Sequence, residues 1–430
     1  MKSNYIFAML FGGTIALSSA ITIAADRSTQ DAQADSVPQV ALAPQSEVNS
    51  TDTFNAGQNT ATVELIQSPL TRAQVAKYLM KKRMAGEQAE IARDLGNNLV
   101  GLDLANLDFS GAQMLRVDLR NATLTGADFS EAFMEESNLS GAKASHALFH
   151  KAKIAGVQFV ETDLEGAIFD EAYGEGALFS KANCKGISAI EANFSQAQFL
   201  RNTILSEAKF SGAAVTDTII SDVVAIKADF SQADLSNTKI ANSNFQTASF
   251  YSSLLVAATI DNSNMSGAIL FAANLQRVII NNSNLANVYA EAVDISDARI
   301  KTSDLSQSNL NYAVMRNATL EADKLDNIEL ARADMKNSTL NKMQINGAKI
   351  DGAIMRGIKF NDVLLENASM DKIQLSYSIL TKSAIIKSNM RNSQLNNVQL
   401  QNSLIANSDL SNSVGLTDAQ RKALTALNTK

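Results

Sequence analysis

Two histidines, His146 and His150, stand four residues apart, the spacing that on a helix aims two imidazoles at one metal ion. One carboxylate, Asp323, falls where neighbouring segments carry Ala or Ser, and a carboxyl sequestered there is costly unless hydrogen-bonded. Cys184 is the only cysteine, so it closes no disulfide within the chain and is either a reactive thiol or a small buried hydrophobe. No phosphate-cradling glycine loop, catalytic triad spacing or metal-ligand cluster accompanies these residues. What they can do depends on where the surrounding chain puts them.

That chain is periodic. A bulky apolar residue returns at every fifth position from Leu104, Phe109 and Met114 to Phe199, and then on multiples of five from Leu205 to Leu410. A small residue sits two positions before each, as in Ala122, Ala127, Ala132, Ala228 and Ser243. A period of five belongs to neither helix nor ordinary strand. Two inward positions two apart make a strand-like alternation, and a turn must then carry the chain round a corner. Gly111, Gly126, Gly141 and Gly347 occupy that corner, where glycine or asparagine suits a positive φ. All three prolines precede the repeat, as expected where each turn of a coil donates backbone hydrogen bonds to the next.

The phenylalanines give the length of the coil. Phe109, Phe129, Phe149 and Phe169 are spaced by twenty, as are Phe159, Phe179 and Phe199, and Phe210, Phe230 and Phe250. Four pentapeptides therefore close one coil, and each set stacks its rings along one inner wall at about 4.8 Å. Between Phe199 and Leu205 one residue is extra, yet the stack still passes through Ala189 to Phe210, so every aromatic keeps its face. The extra residue belongs at a corner or bulge near Arg201 or Asn202, a joint between two runs of one rod.

On such a coil His146 and His150 point from different positions round a corner, which favours solvated surface over metal ligation. Cys184 falls inward. Asp323 also falls inward, with Ser303, one coil back, as its expected partner and no second carboxylate or nucleophile beside it. Where the fifth-position residue is small its inward neighbour is often large, as Ile187 with Ala189 or Val223 with Ala225, a compensation of volume. Ala144 and Gly174 lack it, so a dent or a water site is expected there.

In the runs GADFSEA at 126–132 and KADFSQADLSN at 227–237 the chain resembles the pentapeptide repeat family. The resemblance implies an all-β solenoid, a right-handed quadrilateral β-helix with short helical caps, and leaves function open. Departures at the Asp/Asn position, Lys239, Ile269, Ile279 and Lys349, face outward. Residues 1–25 read as a signal peptide, with Lys2, an apolar run from Tyr5 to Leu17 and cleavage after Ala20 or Ala25. Residues 26–67 read as a flexible linker. Residues 68–96 form an N-terminal capping helix region opened by a Thr71/Gln74 capping box, 97–414 the repeat, and 415–430 a C-terminal capping helix with Thr417, Gln420, Leu416, Leu424 and Leu427.

A net charge of −7 with 19% charged residues argues against a basic nucleic-acid binder. Tyr251 and Phe271 should stack on the outside of one wall, flanked by Ile269 and Tyr289; Leu364, Ala384 and Leu404 should align on another, with Ile386 beside them. Both patches read as protein contact sites or as surface covered by the linker or a cap. The expectation is an exported, non-enzymatic scaffold, periplasmic or extracellular, with protein partners, a homodimer among them. No cofactor, metal or direct nucleic-acid contact is expected, and membrane contact only through the N-terminal segment if it is kept. Some proteins of the family resemble duplex DNA and bind topoisomerases, so a nucleic-acid mimic is the alternative, and a secreted effector a further one; the mixed charges of 205–410 count against the mimic.

Overall fold

The computed structural model describes residues 70–420. The expected signal peptide at 1–25 and linker at 26–67 lie outside the described residues, as do Leu424 and Leu427.

The described chain opens with α1, Arg72–Ala85. Thr71 and Gln74 close a reciprocal capping box at its start, Lys82 and Arg83 lie in its last turn, and left-handed Gly86 ends it. Val75 and Leu79 are its buried residues, and Arg72 ties it to the first coil by donating to the carbonyl oxygens of Asp103 at 3.0 Å and Ala105 at 2.7 Å. The short α2, Ile91–Asp94, follows. At the other end Thr417 and Gln420 form a second capping box, their amides bonded to Gln420 Oε1 and Thr417 Oγ1 at 2.8 and 3.2 Å.

Between these ends the chain is a right-handed quadrilateral β-helix. Parallel pairings run from Asn98 with Asp118 to Gln394 with Val414, and each joins residues one coil apart. Most wall positions pair as single bridges, because only a few residues lie between corners. One wall gains three-residue strands from Leu178–Ser180 onward, and at Thr339–Asn346 and Lys359–Glu366 the strands run eight residues, pairing on both sides of a corner. The corners are left-handed whatever residue stands there: Glu131, Lys151 and Ala272 have φ of 58°, 54° and 53°. Their N–H groups donate to the next coil, to His150, Asp170 and Glu291, at 2.8, 3.0 and 3.0 Å.

The interior is the stack that the spacing predicts. Phe109, Phe129, Phe149 and Phe169 follow one another at 5.0, 5.2 and 4.6 Å, their planes within 11° of parallel. Phe210, Phe230 and Phe250 repeat the arrangement at 5.0 and 5.4 Å. The extra residue lies at a corner: Arg201 and Asn202 are both left-handed, with φ of 54° and 68°. They donate to Ser221 and Asp222 at 3.1 and 2.7 Å, while Phe199 pairs with Ile220 and Gln198 with Ile219. The Thr203 hydroxyl, buried beneath, donates to the carbonyls of Phe179 and Leu200.

Gly174 corrects the expectation of a dent. A Cβ there would lie 2.5 and 2.7 Å from ring atoms of Phe194 and 3.4 Å from Ile154 Cδ1. The ring of the next coil fills the slot, so the missing side chain is compensated along the rod rather than across it. Ala144 is fully buried.

Candidate interaction surface

Every inward place on a coil is occupied by the fifth-position residue or the one two before it, so an aromatic beside a satisfied inward position is forced outside. Phe250 and Leu270 are buried, which leaves Tyr251 and Phe271 facing out, stacked at 5.7 Å and 4°. Tyr289 continues the column diagonally, 5.9 Å and 8° from Phe271, and Ile269 pairs with it across the wall. Tyr251, Ile269 and Tyr289 are 44%, 39% and 43% exposed; Phe271, between them, is half-buried. Rings stacked this closely cover each other's faces and present their edges and the tyrosine hydroxyls outward. The Tyr289 hydroxyl donates to Glu291 at 3.0 Å, and that hydrogen bond raises its pKa above the usual phenol value.

The structure adds Leu254, exposed round the neighbouring corner. Its signal is the doublet Leu254-Leu255: only one of two adjacent leucines can be inward, and Leu255 is buried. Ser252 and Ala272 occupy the corner between the two walls, so no charged side chain separates Leu254 from the rings. The second patch is also assembled. Leu364 pairs with Ala384 and Ala384 with Leu404, while Ile386 lies two residues along the same strand. Leu404 is exposed, and Leu364 and Ile386 are half-buried.

The other candidates fall into structural places. His146 sits exposed at a left-handed corner, and His150 is half-buried on the next wall. Among the described residues no group of three or more His, Cys, Asp or Glu is placed to hold a metal ion. Cys184 is buried, and burial pushes its thiol pKa far up, away from thiolate chemistry. Asp323 does bond to Ser303, but through the backbone: the Ser303 N–H donates to its Oδ1 at 2.7 Å.

Opposite charges join several neighbouring coils. Arg116 meets Glu136 at 2.7 Å, Lys181 meets Glu161 at 2.8 Å and Lys349 meets Glu329 at 2.7 Å, each pair twenty residues apart. Such exposed pairs contribute little to stability, but each sets a cation beside a carboxylate of the neighbouring coil. Among the described residues, no helix is long and apolar enough to cross a membrane.

A family model of pentapeptide repeats matches the chain in eight copies, from residues 98–135 to residues 268–307. No curated protein matches it in sequence. Among solved structures, HetL, a pentapeptide repeat protein involved in heterocyst differentiation regulation from the cyanobacterium Nostoc sp. strain PCC 7120, is 22% identical. It covers 57% of this chain and 97% of its own, with a TM-score of 0.31. Full-length QnrB1, a plasmid-mediated fluoroquinolone resistance protein, is 18% identical over 47% of this chain and 90% of its own, with a TM-score of 0.24. A pentapeptide repeat protein of the Arabidopsis thaliana thylakoid lumen is 29% identical over 29% of this chain and 68% of its own, with a TM-score of 0.11.

Proposed function

From the premise that this chain belongs to the pentapeptide repeat family, we propose that it is an exported, non-enzymatic scaffold that holds a protein partner in the cell envelope or outside the cell. The observation that carries the reading is the outward column of Tyr251, Phe271 and Tyr289 with Ile269 beside it. Rigid aromatics lose little conformational freedom on binding and are enriched at interface centres. The wall beneath them is fixed by the coil, so the patch is preorganised for a partner. Export rests on the pattern of residues 1–25, with its cationic start, apolar run and small residues.

The patch is tested by changing Tyr251, Phe271 and Tyr289 together to Ser. Circular dichroism stays as in the parent, and the partner captured by the tagged parent chain is lost; a partner that still binds refutes the patch. Export is tested by fractionating cells that carry an epitope-tagged chain. Recovery outside the cytoplasm with a shortened N-terminus supports the reading, whereas cytoplasmic recovery with the N-terminus intact overturns it and revives the nucleic-acid mimic. Charge pairing between neighbouring coils counts against that mimic, which requires a continuous anionic face.

A further inference from the structure

At one corner of the rod the residues two before the inward position form a column: Val223, Ser243, Ser263, Ser283, Ser303 and Asp323. Hydrogen bonds join the column into a ladder. The N–H groups of Val223, Ser243, Ser263 and Ser283 donate to the hydroxyls of Ser243, Ser263, Ser283 and Ser303 at 3.1 to 3.2 Å. Each hydroxyl in turn donates to the carbonyl two residues upstream in its own coil: Ala241 at 2.7, Asp261 at 2.8, Asn281 at 2.7 and Lys301 at 3.0 Å. Every rung thus needs one side-chain atom that accepts and one O–H that donates.

Asp323 is the next rung. Its Oδ1 accepts from Ser303 N–H at 2.7 Å, as each serine oxygen does. Its Oδ2 is the one buried side-chain oxygen among the described residues without a hydrogen-bond partner. A serine at this position would donate to the carbonyl of Glu321; a carboxylate has no proton to give it. The wall opens at the same place. Asp304 pairs with Lys324 and Gln344 with Leu364, but among the described residues Lys324 and Gln344 do not pair. The column resumes its serine pattern only at Ser383, which accepts from Val363 N–H at 3.1 Å and donates to Thr381 at 2.9 Å.

We infer that Asp323 stands in this ladder as a neutral carboxylic acid whose O–H donates to the Glu321 carbonyl, and that its ionisation loosens the rod at the adjoining break. On ionisation the proton passes to solvent, the Glu321 carbonyl is left with the Thr302 N–H alone, at 2.9 Å, and a buried anion remains that only water entering between Lys324 and Gln344 can solvate. Burial pushes the Asp323 carboxyl up to about 7, against backbone hydrogen bonding at Ser303 and Glu321 and with a smaller upward push from the Glu321 carboxylate, so the change falls near neutral pH. The charged groups facing the site are on its outer side: Glu321 and Lys324 on its own coil, Lys301 and Asp304 on the coil before, and Lys342 on the coil after. They are already paired, Lys301 and Lys342 with Glu321 at 3.8 and 3.5 Å, and Lys324 with Asp304 at 4.0 Å. From the inner side the packed residues are apolar, Leu305, Leu325 and Ile345.

The test is amide hydrogen exchange on the full chain at pH 5 and pH 8, corrected for intrinsic rates, in peptides covering residues 318–328 and 338–347. Parent protein loses protection there by about tenfold or more at the higher pH, while peptides around Phe129 do not change. Asp323→Ser, which restores the rung, and Asp323→Asn, which keeps a neutral donor, hold their protection at both pH values; either variant suffices if the other does not fold. Equal protection of the parent at the two pH values overturns the proposal. So does the same pH-dependent loss in a folded variant, which would assign the effect to Glu321 or another surface group.

Discussion

Replacing Gly174 by Ala gives a test in which two effects predict opposite signs. Gly174 lies in a wall, its φ outside the left-handed region, and an alanine at a compatible extended position normally stabilises by about 0.4–1 kcal/mol through the unfolded state. Here the new Cβ would sit 2.5 Å from the Phe194 ring, so the ring must retreat by about 1 Å to reach ordinary contact. It has nowhere to go, because Phe169, Phe179, Phe199 and Phe210 surround it edge-on at 6.0, 5.5, 6.3 and 6.2 Å. Overpacking of this kind costs about 1–3 kcal/mol, which outweighs the entropic gain. The assay is equilibrium urea unfolding followed by circular dichroism, with an unchanged slope required before midpoints are compared. In a Phe194→Leu background the slot has room, so Gly174→Ala becomes neutral or stabilising, with a coupling of about 1–3 kcal/mol between the sites. A stabilised single mutant would falsify the claim that Phe194 fills the Gly174 slot, and so would two mutations that simply add.

Three further outcomes are expected. Phe230→Ala, which removes a ring stacked between Phe210 and Phe250, lowers stability by about 3–5 kcal/mol in the same unfolding assay; a loss near zero takes Phe230 out of the core. The carboxyl of Asp323 has its folded pKa raised from 3.8 to about 7, so the folded state binds its proton more tightly than the unfolded chain does. Its contribution is complete below the unfolded value and is lost as pH rises from about 4 to about 7, by about 1.4 kcal/mol per unit. The difference in stability between the parent and Asp323→Asn therefore moves against the parent by on the order of 4 kcal/mol across that window, and a flat difference contradicts it. Cys184, buried with its thiol pKa pushed up, resists alkylation in the folded protein and reacts only on unfolding; rapid labelling of the native chain contradicts its burial.

The coil was legible because one requirement repeats. An inward side chain must recur where the wall recurs, and Phe109, Phe129 and Phe149 do so twenty residues apart. The outward aromatics were legible by exclusion, since Phe250 and Leu270 had already taken the inward places beside Tyr251 and Phe271. Periodicity gives each residue an address, however, and not the lean of its side chain, so the ring of Phe194 in the slot of Gly174 was hidden. Corner chemistry was legible only in part. Glycine and asparagine mark some corners, but Glu131, Lys151 and Ala272 are left-handed as well, held there by hydrogen bonds to the next coil that outweigh a cost of about 1–2 kcal/mol each. Ser303 was recognisable as the neighbour of Asp323 from the twenty-residue step. That the bond comes from its amide, and that Lys324 and Gln344 fail to pair, depends on backbone geometry that residue types do not record.

At Arg201 and Asn202 two successive left-handed residues turn a corner that elsewhere needs one, and the pairing of Phe199 with Ile220 passes undisturbed. The number of residues in a coil is therefore separable from its height. The corners are seams where the gene can gain or lose length without altering the pitch, and a longer insert, even a folded module, could hang from such a seam as a tab on a ruler whose graduations stay fixed.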